Sequence, residues 1–312
     1  MRVVGLIVSA VFLAAVVWWA SRQEAPSFPA DVAGWLAIAA GVGVYALATV
    51  LRGERWLALL TEGGERAPRS DAHGLTWVGM MGNAVLPARG GDALRVFYMS
   101  RRARRSLRDI AGSLIAERLL DVVVLVSVYS ILAVIVLEDA PAPDLPDGPV
   151  LALVVAGLIA AFALLAYMLH RVHALERIRS LVAPFAVATR RLHGRHGLVM
   201  LALTIAIWTL EAGNLMLIAA AIDFSLNPGG ALFVIGLGGI FLLVPSGPGH
   251  AGTFDAAVLL GAGTAGASAP VALSFLLMAR LVIFVPPAIV GLALVLSRYN
   301  SLRQGRAAEA GP

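Results

Sequence analysis

Long, nearly unbroken apolar runs alternate with short charged stretches along this chain. Six runs, 3–20, 32–51, 110–137, 149–169, 198–222 and 270–297, are near or above the length that crosses a bilayer; a helix needs roughly 18–20 residues for about 30 Å of hydrocarbon. None of the runs alternates with period two, which excludes barrel strands. Helices are the other structure that satisfies its own backbone in lipid. The pattern therefore predicts an all-α polytopic membrane protein with about six crossing helices. The first run is longer than the apolar core of a signal peptide, and no small-residue cleavage site follows "VVWWASRQ", so it is predicted to be a retained helix.

Two further apolar stretches, 73–88 and 231–265, do not fit as simple crossings. Arginine is concentrated in 52–71 (Arg52, Arg55, Arg66, Arg69), 89–108, 170–197 and the tail from Arg298, whereas 137–149 and 223–230 contain none. Loops rich in arginine stay in the cytoplasm. On that rule both termini are cytoplasmic, and 73–88 has cytoplasmic chain on both sides. It must enter the membrane and return, turning near "LPARGG". By the same logic 231–265 enters from the other side and turns near "VPSGPGHAG". Proline stops a helix and glycine permits the turn. Asn83, Pro87, Gly90, Gly91, Pro248, Gly249 and Gly252 are the residues expected to shape the backbone of these two re-entrant hairpins.

The hairpins also correspond to one another. Pro87 matches Pro248, Asp92 matches Asp255, and Arg118 in "LIAERLLDVV" matches Arg280 in "LLMARLVIFV", at offsets of 161, 163 and 162 residues. The expected division is a first repeat, 1–137 (helices 3–20, 32–51, hairpin 73–95, helix 110–137), and a second, 138–297 (helices 149–169, 198–222, hairpin 231–265, helix 270–297), before a cytoplasmic tail, 298–312. Each half crosses three times, an odd number, so the second is inverted relative to the first. Inverted repeats with broken helices are a common transporter architecture.

Composition agrees with this reading. Of the 312 residues 59% are hydrophobic and 14% charged, against about 25% charged in soluble domains. Cysteine is absent, which removes disulfides and thiolate chemistry. The positive balance is scattered between spans, so no nucleic-acid face is expected. "GPGHAG" (247–252) lacks the strand and acidic residue of a dinucleotide site. The His pairs in "HRVH" (170–173) and "HGRH" (193–196) have no further ligands. No metal, cofactor or enzymatic motif is expected. Leu175, Ile178, Leu181, Val182 and Phe185 among arginines suggest an interfacial amphipathic helix.

The informative charges are those within apolar runs. Glu117, Arg118 and Asp121 lie two to three turns into the helix starting near 110. Insertion scales assign Asp and Arg about 2.5–3.5 kcal/mol at a helix centre, so the triad must face protein or a water-filled cavity. It is read either as a substrate or proton site or as an ionic staple. Glu211 and Asn214 share a face in 198–222 and are further cavity candidates.

The segments "NAVLPARGGDALR", "AERLLD" and "VPSGPGHAGTFD", in that order, resemble the lysylphosphatidylglycerol synthase transmembrane-region family, the flippase-like domain of the multiple peptide resistance factor. The resemblance covers almost the whole chain. It departs where the family carries Glu after the glycines of each hairpin and this chain has Asp92 and Asp255. It implies movement of anionic, aminoacylated or polyprenyl-linked lipids between leaflets of a bacterial plasma membrane, without the aminoacyl-transferase domain. Arg89, Arg95, Arg118 and Arg280 are then expected to bind an anionic headgroup. Asp92, Glu117, Asp121, Glu211 and Asp255 would hold those arginines or exchange protons. The partners are the bilayer and a lipid, with a homo-oligomer or an envelope-synthesis enzyme as alternatives for a protein partner. The rival reading is a membrane subunit or enzyme of polyprenyl-phosphate glycolipid synthesis. The loop charges make the topology testable: single cysteines replacing Asp144 and Gly64 should label from opposite faces of the membrane, and labelling of both from outside would rule out the inverted arrangement.

Overall fold

A computed structural model describes residues 17–18, 21–62, 66–86, 89–137, 194–241 and 247–299. The expected helices 3–20 and 149–169, the amphipathic segment 170–185, Pro87 and the tail 298–312 lie largely or wholly outside these residues. Among the described residues the secondary structure is helical: α1 (Val32–Thr61), α2 (Arg69–Val85), α3 (Gly90–Ala103), α4 (Leu107–Leu137), α5 (Gly194–Ala220), α6 (Pro228–Phe241), α7 (Thr253–Thr264) and α8 (Ala269–Leu294). Helices α1 and α5, and α8 with the π-helical turn to Tyr299, are long and apolar enough to cross a membrane.

The helix starts follow from local chemistry. Asp31 accepts the Gly34 N–H at 2.8 Å and opens α1, while Ser106 accepts the Asp109 N–H at 3.2 Å and donates to its carboxylate at 2.7 Å ahead of α4. Asn227 accepts the Gly230 N–H at 2.7 Å at the head of α6. Each satisfies an amide that the first helical turn leaves without a partner. Both predicted turn regions interrupt the helices. Helix α2 ends at Val85 and α3 starts at Gly90; α6 ends at Phe241, a 3₁₀ turn spans Pro248–His250, and α7 starts at Thr253. Gly249 and Gly252 have φ of 61° and 83°, the left-handed region that glycine enters without steric cost.

Helix α1 differs from the expected 32–51. It continues to Thr61 and carries Arg52 and Arg55, expected in a loop, into the protein. The reason is charge: Glu211 of α5 and Glu117 and Asp121 of α4 lie opposite them.

Packing among the described residues gives two larger apolar cores, a small third one around Leu59, Ala116, Leu120 and Met200, and an apolar exterior. One core gathers Ile38, Leu215, Ile218, Val234, Phe275 and Val282; the other gathers Trp56, Leu60, Leu75, Met99, Ile110 and Tyr299. Outward-facing Trp35, Leu47, Leu198, Ile205, Ile289 and Leu292 are exposed, as suits helices solvated by lipid. Helix α1 packs along α5, α8 along α2, and α2 on α3. At the last contact Gly91 meets the α2 backbone so closely that a Cβ would collide with the Gly79 carbonyl. Past α8, Tyr299 donates to buried Asp71 at 3.1 Å and Arg298 donates to Ser70 at 2.7 Å, clasping the end of that helix to the start of α2.

Gly91→Ala should therefore lower the thermal midpoint measured by fluorescence-detected gel filtration, with an overpacking cost of about 1–3 kcal/mol. Gly43→Ala, where nothing lies within 4 Å of the new Cβ, should be neutral or stabilising by up to about 1 kcal/mol from helix propensity.

Candidate functional site: a charged cavity between the helices

Residues from α1, α2, α3, α4, α5, α6, α7 and α8 surround a cavity of about 220 Å³. Its charged walls are Arg52, Arg55, Arg89, Asp92, Arg95, Glu117, Arg118 and Glu211, with Asn83, Tyr45, Trp208 and His250 among the polar groups. The volume falls just below the range of about 300–1,000 Å³ for drug-sized ligands.

The inner wall is a tight ionic network centred on Arg55. Its guanidinium grips Asp121 through Nη1 at 2.7 Å and Nη2 at 3.3 Å, and reaches Glu117 at 3.2 Å. Nη1 also donates to Thr204 at 2.8 Å. The Thr204 hydroxyl donates to the Met200 carbonyl of its own helix, which leaves a lone pair for Arg55. The other oxygen of Glu117 accepts from Arg95 at 2.9 Å, and Arg95 lies 4.1 Å from the Trp56 ring centroid. Trp208 Nε1 donates to Asp121 at 3.3 Å. Arg52 pairs with Glu211 at 2.7 Å. Side chains of Arg55 and Glu117 are 1% and 2% exposed, so each charge depends on its partner.

The outer wall is looser. Arg118 approaches Asp121 at 3.4 Å and Asp92 at 3.5 Å, and its side chain is 41% exposed. Arg89 reaches Asp92 only at 3.6 Å. The Nε atoms of Arg89 and Arg118, like those of Arg55 and Arg95, are buried without a hydrogen-bond partner among the described residues. Arg89 is also the residue ahead of α3 in a left-handed conformation, φ 56°. A non-glycine residue there costs on the order of 1 kcal/mol, and such strain tends to be kept at functional positions. The cluster Arg52, Arg55, Arg89, Arg95 and Arg118 faces Asp92, Glu117, Asp121 and Glu211, leaving one positive charge in excess among these groups.

Of the residues expected at the site, Asn83, Arg89, Asp92, Arg95, Glu117, Arg118 and Glu211 line one cavity, and Asp121 joins them through Arg55 and Arg118. Asn83 accepts the Gly91 N–H at 3.0 Å and holds the start of α3. Arg280 and Asp255 form a separate pair in which the guanidinium also reaches the Gly249 carbonyl at 3.4 Å. Arg280 stands beside the rings of Phe254 and Phe284 rather than in the cavity wall. Asp255 additionally accepts the Gly252 N–H at 2.8 Å. Asp92 and Asp255 thus hold the same place, the third residue of a helix that follows a left-handed residue, and each pairs with the arginine of the next long helix.

Arg52, Arg55, Thr204 and Trp208 went unrecognised in the sequence as site residues. A signal existed: after Arg52 the apolar pattern continues through Trp56, Leu59 and Leu60 on one helical face with Arg55.

The fold and site define a helical integral membrane protein with an arginine-rich internal cavity. Residues 2–291 match the lysylphosphatidylglycerol synthase TM region, and the chain belongs to that family. A relative, the glycosyltransferase AglD of Haloferax volcanii, is 26% identical over 303 residues, covering 82% of this chain and 47% of the relative. The chain therefore spans about half the length of that relative. No solved structure matches.

The network's two walls should respond differently to mutation. Arg55→Met strands Asp121 and Glu117 and should destabilise by about 3–5 kcal/mol, read as loss of the monodisperse gel-filtration peak. Arg118→Gln, whose partners Asp121 and Asp92 keep contacts to Arg55 and Arg89, should cost less than Arg55→Met and keep that peak.

Proposed function

We propose that this protein translocates a lipid with an anionic headgroup between membrane leaflets. The observation that carries the reading is Arg89: strained, held to a carboxylate only at 3.6 Å, and facing a cavity with an excess positive charge. A phosphodiester would accept from the guanidinium groups of Arg89 and Arg118 in place of Asp92, since the planar fork matches phosphate oxygens. Asp92, within 3.6 Å of both arginines, would release them to the phosphate and take them back. In this reading α2–α3 and α6–α7 are the two re-entrant hairpins of an inverted repeat. Their breaks meet near mid-membrane, with both termini cytoplasmic and the plasma membrane as location. Arg280, occupied by Asp255 and Gly249, braces the second hairpin.

A second reading has support in the name of the Haloferax volcanii relative: the chain would be the membrane portion of a system that transfers sugars to polyprenyl lipids. The cavity favours transport, since Glu117, Asp121 and Glu211 are each held by an arginine within 3.2 Å, leaving them poorly placed as bases.

Arg89→Gly separates function from stability. Glycine relieves the left-handed φ, so the variant should be as stable as the parent or more so, by on the order of 1 kcal/mol. It should lose translocation of fluorescent phosphatidylglycerol in proteoliposomes, measured by dithionite quenching. Normal translocation by this variant would remove Arg89 from the site and with it the main support for an anionic substrate.

A further inference from the structure

Outside the cavity a second hollow, an open groove of about 450 Å³, lies between α3 and α4. Its walls include Ala93 and Val96 of α3 and Ile115, Leu119 and Val122 of α4, all apolar. Only Asp92 and Arg118 are charged, and these same two residues also line the cavity. The groove and the cavity therefore share one wall, made by a single ion pair.

That pair is the loosest contact of Arg118. Its 3.5 Å separation contrasts with 2.7 Å for Arg55–Asp121 and 2.9 Å for Arg95–Glu117. The Arg118 side chain is also far more exposed than those of Arg55 and Arg95. Opening Asp92 from Arg118 would join a cationic chamber to an apolar furrow on a surface where Val122 and Val123 already face outward. With a headgroup in the chamber, the rest of a lipid needs a place beside it that is apolar and reachable from hydrocarbon. A cation at the inner end of an apolar groove complements one kind of molecule, an anion attached to a hydrocarbon chain.

We propose that the α3–α4 groove holds a hydrocarbon chain of the transported lipid while its headgroup occupies the cavity, and that the Asp92–Arg118 pair is the gate between them. This rests on the anionic-headgroup reading above. The test uses the full chain in vesicles containing phosphatidylglycerol with a diazirine in one acyl chain, or phosphatidylcholine with the same chain. After irradiation, adducts should map to Val96, Ile115 and Leu119 and be enriched with phosphatidylglycerol. Ala93→Trp, at an exposed position that fills the groove, should remove those adducts and stop phosphatidylglycerol transfer while binding of sn-glycerol 3-phosphate by calorimetry persists. Leu201→Trp, on the outer face of α5, is the control and should change nothing.

Equal labelling by both lipids would mean that the groove meets only bulk bilayer and would overturn the proposal, as would normal transfer by Ala93→Trp. The labelling of the unmutated chain stands even if the tryptophan variant does not fold. Failure of the unmutated protein to bind sn-glycerol 3-phosphate would count against the headgroup reading instead, so the two ideas fail by different measurements.

Discussion

Arg55 is the constraint on which the arrangement depends. It is a nearly inaccessible cation in an apolar protein, and it persists because α4 brings Asp121 and Glu117 to it and α5 brings Thr204. A charge so enclosed cannot tolerate a loose neighbour. Its satisfaction fixes the mutual positions of α1, α4 and α5, and Arg95 extends the lock to α3 through Glu117. Non-directional contacts between apolar helices would permit sliding. The ionic network removes that freedom and leaves a chamber of defined shape.

The same network divides the arginines into two kinds. Arg52, Arg55 and Arg95 have short contacts to carboxylates and act as framework. Arg89 and Arg118 have long contacts and face open space. A rigid inner wall supporting a yielding outer one is what a site needs if a charged ligand is to enter without unravelling the helices around it. Preorganised cations also lose little freedom when an anion arrives.

Much of this was legible in the sequence. Apolar length identified the helices that became α1, α4, α5 and α8, and the glycine- and proline-rich stretches fall where the described helices break. The unusual charges Glu117, Arg118 and Asp121 pointed to the interior. The matching of Asp92 with Asp255 and of Arg118 with Arg280, at offsets of 163 and 162 residues, corresponds to two ion pairs that form, Asp92–Arg118 and Asp255–Arg280. Arg52 and Arg55 were missed despite the apolar face that continues past them, because a count of loop charges treats every arginine near an apolar run alike. Whether one lies in a loop or on a buried helical face depends on counter-charges far along the chain: Asp121 is 66 residues from Arg55, and Thr204 is 149 away. The position of Arg280 was hidden for a related reason, since Asp255 holds it behind Phe254 and Phe284, two rings that line the chamber.

The clasp beyond α8 gives the protein a handle. Tyr299 and Arg298 are bound to Asp71 and Ser70, at the first turn of α2. The opposite end of α2 supplies Gly79, Asn83 and Ala84 to the chamber wall. Helix α2 thus connects the segment ending at Tyr299 to the chamber wall. Any load applied after Tyr299, whether a docked protein or a covalently attached domain, would act as a lever on the chamber, transmitting push or twist along α2 without touching the ligand.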